Sequence, residues 1–210
     1  MNKIDKKGEK DEEMEKFGAE LRGRRILVVS DGINPTMAGR IIDGLLSFNF
    51  ESTVAEIKLI IDSSGGNVVP ALRVFDTIRL SKAPVVGIVH GRCDSVAVSL
   101  FQACHRRLTT ANSTFFLHFI TSDLKFKFHE SEKEVLKRLR AVRVHNHQLQ
   151  ERIEKILSAR TGRTIAQLRQ LMQKGELEER RIMADEALKL GLVDEVIDTY
   201  DIFSPLPEVY

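Results

Sequence analysis

The most chemically suggestive feature of this 210-residue chain is a serine where an apolar strand meets an apolar helix. The run Val89-His90-Gly91-Arg92-Cys93-Asp94-Ser95-Val96-Ala97 sets Ser95 in the first helical turn. There the positive helix end and N–H groups without an intrahelical partner would favour a nucleophile. Cys93 and Ala97, two residues either side, permit a sharp turn, a loose form of nucleophile elbow; read alone, Ser95 fits a helix cap better than a nucleophile. His118 interrupts the apolar run Phe115-Phe116-Leu117-His118-Phe119-Ile120. A neutral imidazole beside a serine hydroxyl can act as general base, although a lone histidine in such a run also fits a satisfied core residue. Gly65-Gly66 follows another apolar strand, where it would let a substrate backbone lie close and leave an N–H for an oxyanion, or simply make a turn. Cys93 is disfavoured as the nucleophile by its position two residues early. No metal site is expected: His90, His105 and His129 lack ligand spacing, and His145 and His147 point to different faces of a helix.

These residues need elements to carry them. Apolar runs predict strands at 25–30, 56–61 and 84–89, with shorter ones at 108–110, 114–119 and 192–197. Helical spacing predicts segments at 35–48, with Pro35 in the first turn, at 68–80, and at 95–104. Three strand–helix units in succession imply an α/β fold with mainly parallel pairing. Residues 130–158 contain neither Gly nor Pro and carry an apolar stripe at Val135, Leu139, Val142, Leu149, Ile153 and Ile156. They predict a helix of about 29 residues, near ~43 Å long. Its stripe packs either on its own domain or partly on another subunit. Its basic residues Lys137, Arg138, Arg140 and Arg143 are expected in solvent. Helices at 164–173, capped by Thr164, and at 184–190, stopped by Gly191, follow.

Composition narrows the class. Thirty-two basic residues nearly cancel 30 acidic ones, leaving +2, so no field for nucleic acid is expected. No apolar run reaches membrane-spanning length, so no membrane partner is expected. No secretory signal is visible, and the two cysteines make no disulfide framework, which points to the cytoplasm. The division expected is a charged, mobile segment over 1–24, one domain over 25–200 and a short tail over 201–210.

In this order, the motifs resemble the proteolytic subunit of the Clp protease (ClpP), within the ClpP/crotonase superfamily. The chain has Ile61-Asp62-Ser63-Ser64-Gly65-Gly66, then Gly91 through Ala97, Ala111-Asn112-Ser113, Leu117-His118 and Thr161-Gly162. It continues with Met183-Ala184-Asp185-Glu186-Ala187 and Gly191-Leu192-Val193-Asp194. The resemblance covers residues 25–198. It implies a repeated ββα superhelix with a long protruding handle helix, and a serine endopeptidase acting on polypeptides. It implies Ser95 as nucleophile, His118 as general base, the N–H groups of Gly66 and Val96 as oxyanion hole, and Gly65 with Gly66 against the substrate. It further implies a ring oligomer of two stacked heptamers, fed by an AAA+ unfoldase. No cofactor is implied, and the chain has no Walker motif of its own.

The departures are specific. The family's third catalytic residue is an aspartate after Thr161-Gly162, yet no aspartate lies between Gly162 and Met183. Counting forward reaches Leu171 and counting back reaches Gly175, so about four residues are inserted. Glu176 is the nearest acidic substitute, ahead of Glu178 and Glu179. Asp94 stands beside the nucleophile, where its charge would oppose an oxyanion unless paired, with Arg92 as the nearby partner. Ala97 and Ser64 replace a glycine and a proline. An alternative is therefore a catalytically impaired, ClpR-like subunit that co-assembles with an active peptidase. A crotonase-like acyl-CoA enzyme would want a carboxylate base in place of the Ser–His pair.

Overall fold

The computed structural model describes residues 18–123 and 127–198. Most of the charged N-terminal segment and the whole C-terminal tail, for which separate behaviour was expected, lie outside the described residues. After a helical stretch at 18–23, the chain alternates β1 (Ile26–Ile33), α1 (Pro35–Glu51), β2 (Ile57–Gly66), α2 (Val68–Leu80), β3 (Val85–Asp94) and α3 (Val96–Phe101). It continues through β4 (Arg106–Thr110), β5 (Thr114–Phe116), α4 (Glu132–Thr161), α5 (Ile165–Glu178), β6 (Ile182–Met183), α6 (Ala184–Leu190) and β7 (Glu195–Ile197). The fold is mixed α/β, as the alternation implied.

Strands run in the order β1-β2-β3-β4-β7, each pair parallel. Strands buried on both faces read as continuous apolar runs, which is why Ile57, Leu59 and Ile61 of β2 and Val85–Val89 of β3 are all buried. The principal core lies between the sheet and α1, α2 and α3; Val86, Ile88, Leu108 and Ile197 form a smaller cluster.

β3 changes neighbours along its length. Val86–Val89 pair with β4, whereas Arg92, Cys93 and Asp94 pair with β5. β5 in turn pairs antiparallel with β6. The strand ends extend past the apolar runs, and Gly65 and Gly66, expected in a turn, are the last residues of β2. The sheet therefore splits where Ser95 and His118 emerge.

α4 is 30 residues long, opened by a Ser131–Glu134 capping box and closed by Gly162 in the left-handed conformation. Its buried residues, Leu149, Ile153, Glu154 and Leu157, all lie in the C-terminal half. In its N-terminal half the stripe residue Leu139 is 44% exposed, Val135 and Val142 are half-buried, and Leu136 and Val144, beside the stripe, are exposed. Of the basic residues expected in solvent, Arg138 pairs with Glu130. Thr164 caps α5 through a second capping box with Gln167. α6 ends at left-handed Gly191, after which Asp194 clasps β4: its carboxylate accepts from the Arg107 backbone N–H (2.8 Å) and Nε (3.1 Å).

Candidate active site

Ser95 caps α3 without a side-chain capping bond, and its backbone is at φ 57°, ψ −130°. A non-glycine residue there is strained by about 1–3 kcal/mol, and such strain persists only where the surroundings over-determine it. Here the Ser95 N–H donates to the Phe116 carbonyl at 2.7 Å, and its own carbonyl accepts from the Val98 N–H at 3.1 Å. The sharp turn lifts the side chain out of the sheet, the geometry of a nucleophile elbow.

The end of β2 lies against this turn. A Cβ on Gly65, which has φ +87°, would stand 2.6 Å from Ser95 Cβ and 2.7 Å from the Asp94 carbonyl oxygen. A Cβ on Gly66, at φ +140°, would stand 2.7 Å from the Ile33 N. Both positions need glycine for backbone conformation and for close approach. The sequence suggested the conformational need but not the strand that fills the space.

Gly66, Ser95, Val96 and His118 line one cavity of about 60 Å³, with Val68, Ser99, Leu117, Phe119, Ile153 and Met172 among its other walls. Ser95 and His118 are both partly buried, and they share this cavity without a hydrogen bond to each other. In a substrate-free site such bonds are often long and tighten only around substrate. The imidazole stacks on the Phe116 ring, with centroids 5.4 Å apart and planes inclined by 30°.

His118 lies beyond the last residue of β5, in a segment with no regular ladder. Side chains from α4 and α5 supply its main-chain partners. The Phe119 N–H donates to Glu176 Oε1 at 2.9 Å, and the Ile120 N–H to Gln150 Oε1 at 3.0 Å. Gln150 Nε2 in turn donates to Glu154 Oε1 at 3.1 Å. Arg169 grips both Glu154 oxygens at 2.9 Å. Burial pushes the Glu154 carboxyl up, but the hydrogen bonds from Arg169 and Gln150 outweigh it and hold the group below its ordinary value.

Glu176 therefore bonds the backbone beside His118, not its ring. Among the described residues no carboxylate bonds the His118 imidazole. Glu178 and Glu179 are exposed, and Glu179 ends α5 in the left-handed conformation. The extra residues counted in this stretch are taken up largely as helix, since α5 runs to Glu178 and not to 173 as expected. Gly175 is buried in its last turn, directly against the Leu117 carbonyl.

Asp94 is paired, but with Arg181 and not with Arg92. Arg181 Nη1 donates to Asp94 Oδ1 at 2.9 Å, and the Asp94 side chain is only 7% exposed. The same guanidinium lies 5.6 Å from the Phe116 ring centroid, so Arg181, Phe116 and His118 form a stack. The Arg92 backbone N–H is committed to Asp62 Oδ1 at 3.1 Å. Nothing local in the sequence marks Arg181, which pairs across 87 positions.

Cys93 is fully buried, and burial, followed by the neighbouring Asp94 and Cys104, pushes its thiol well above the ordinary value. It is a packing residue rather than a nucleophile. Among the described residues, no cluster of histidine, cysteine or carboxylate side chains could hold a metal, and no helix is long and apolar enough to cross a membrane.

This arrangement has the parts for acyl transfer: a hydroxyl on a strained turn, an imidazole in the same cavity and a glycine backbone beside both. The family model for Clp protease matches residues 9–200.

Proposed function

The chain belongs to the Clp protease family, and from that premise we propose that it is a serine endopeptidase cleaving unfolded polypeptides. Ser95 Oγ attacks the scissile carbonyl while His118 accepts its proton. The N–H groups of Gly66 and Val96 hold the oxyanion of the tetrahedral intermediate. His118 then protonates the leaving amine, and water resolves the acyl-enzyme by the reverse sequence. Gly65 and Gly66 lie along the substrate backbone. Glu176 acts as a positioning residue, holding the main chain next to His118 where the family has an orienting aspartate. Arg181 neutralises Asp94, so the carboxylate beside Ser95 does not oppose the oxyanion.

The observation that carries this reading is the single cavity shared by Gly66, Ser95, Val96 and His118, with Ser95 on a strained turn. The exposed apolar residues Leu136, Leu139 and Val144 on the N-terminal half of α4 support a ring oligomer of two stacked heptamers that encloses the sites. An AAA+ unfoldase would deliver substrate in the cytoplasm. The test is hydrolysis of short fluorogenic peptides by the purified assembly. Turnover that disappears in both Ser95→Ala and His118→Ala supports the proposal. Turnover retained in Ser95→Ala contradicts it.

One observation favours a second reading. With no carboxylate on the imidazole, the chain would serve as a ClpR-like subunit of reduced activity. Loss of a triad's acid costs about 10⁴ in rate. That subunit would assemble with an active paralogue, which co-purification from the native source followed by native mass measurement would detect.

A further inference from the structure

α3 is almost wholly apolar and buried, except for Ser99. Ser99 is 1% exposed and lines the candidate active-site cavity, yet its Oγ has no hydrogen-bond partner among the described residues. A serine inside a helix ordinarily bonds back to the carbonyl four residues earlier, and this one does not. A buried hydroxyl left unpaired is unfavourable, so Ser99 Oγ is available to a polar group that enters the cavity.

Ser99 lies one helical turn beyond the capping residue Ser95, about 6 Å along the axis, and both line the same cavity. A side chain entering beside Ser95 and reaching one helical turn inward arrives at Ser99. It would pass Leu117, Ile153 and Met172, which are apolar and buried. The cavity of about 60 Å³ compares with roughly 10–15 Å³ needed for one water, which leaves room for about four to six heavy atoms. His118 is the sole titratable residue of the lining. A charged side chain would therefore be desolvated without a counter-charge.

We propose that Ser99 is a specificity-determining residue, whose hydroxyl selects an uncharged amide side chain of glutamine length at the substrate residue on the acyl side of the cleaved bond. The apolar walls take the methylene groups, and the Ser99 hydroxyl pairs with the amide tip. The proposal rests on the peptidase reading for the meaning of the cavity, so its test includes an arm that needs no turnover.

Matched peptides differing only at that residue, Gln against the similarly long but apolar Met, with Glu as the charged comparator, are compared on wild type and Ser99→Ala. Expected is a Gln-to-Met ratio of kcat/KM about five- to tenfold higher in wild type than in Ser99→Ala, the worth of one neutral hydrogen bond, with Glu the poorest substrate. In Ser99→Ala that part of the Gln preference is lost, read as the ratio of the two peptides on the same variant. The second arm measures equilibrium binding of the same peptides to Ser95→Ala, with and without Ser99→Ala, by calorimetry. A Ser99-dependent Gln preference in binding without turnover in wild type would retain the pocket assignment and overturn the peptidase reading. An equal Gln-to-Met ratio with and without the hydroxyl, in either arm, overturns the pocket assignment. Thermal unfolding supplies a further check: Ser99→Ala is expected to be at least as stable as wild type, because it removes an unpaired polar atom. Marked destabilisation would mean that the hydroxyl is already bonded within the folded protein, and would overturn the proposal.

Discussion

Gly175→Ala sets helix propensity against packing. Gly175 lies in the last turn of α5, and in an exposed helix this change would stabilise by about 1 kcal/mol. Here the new methyl would fall on the Leu117 carbonyl oxygen, with Leu117 C at 3.3 Å and Phe116 Cε2 at 3.5 Å. Two of these three atoms are backbone, so no rotamer change relieves the contact; α5 or the 117–119 segment must move. Overpacking of this kind costs about 1–3 kcal/mol. Glu176 is the next residue, and the same displacement lengthens its 2.9 Å bond from the Phe119 N–H. That bond is exposed to solvent and contributes about 1 kcal/mol, below the usual range for a charged acceptor. Subtracting the propensity gain leaves a net loss of about 1–3 kcal/mol. At ~2–4 °C per kcal/mol for a chain of this size, the midpoint of thermal unfolding should fall by roughly 2–12 °C. Because the moved segment carries His118, kcat should fall while the assembly stays intact. The assay is paired calorimetry and peptide hydrolysis on wild type and variant. A Gly175→Ala protein that is more stable than wild type and fully active would refute the packing argument, and with it the proposal that α5 positions His118.

Arg181→Met removes the partner of a nearly buried carboxylate. Breaking a fully buried pair costs about 3–5 kcal/mol. Arg181 is itself 45% exposed, so a loss of about 1–2 kcal/mol is expected in urea unfolding. Adding Asp94→Ala should recover most of it, in a double-mutant cycle with a coupling well above zero. For Asp194, burial raises the carboxyl, but the hydrogen bonds and charge of Arg107 hold it below the ordinary value of 3.8. A group depressed in the folded state contributes stability in full above its unfolded value, and that contribution is lost as pH falls through the folded one. The stability difference between wild type and Asp194→Asn should therefore be constant from neutral pH to about 5, then shrink below pH 4, as read by denaturant midpoints across that range. Burial drives Cys104 up to about 12 and Cys93 well above its ordinary value. Neither should alkylate with iodoacetamide at pH 8 in the folded protein, and both should in guanidinium; native labelling of either would contradict their burial.

Much of the fold was legible because apolar runs and caps are local signals. α2 and α6 fall on their expected boundaries, and Thr164 and Gly191 cap where their residue types indicate. The ends of β2 and β3 were not legible. Residues such as Asp62, Gly66, Arg92 and Asp94 carry no strand pattern, and what keeps them in the sheet is pairing with β1 and β5. The candidate site divides the same way. Gly65, Gly66, Ser95 and His118 stand out by type against apolar surroundings. Ser99 was open to the same logic, being one helical turn from Ser95 on an otherwise apolar helix. Arg181 and the Arg169–Glu154–Gln150 chain could not be read locally, since each acts through partners set by tertiary packing. Glu176 was chosen by counting along the chain, which cannot tell a carboxylate on the imidazole from one on the neighbouring amide.

The most direct test of the central claim is intact-mass detection of a fluorophosphonate adduct on the assembled protein, with Ser95→Ala and His118→Ala in parallel. A serine activated by a general base should give one adduct per chain, absent in Ser95→Ala and formed far more slowly in His118→Ala. No adduct on folded, assembled wild type, or an adduct that persists in Ser95→Ala, would contradict the assignment of Ser95 as the nucleophile.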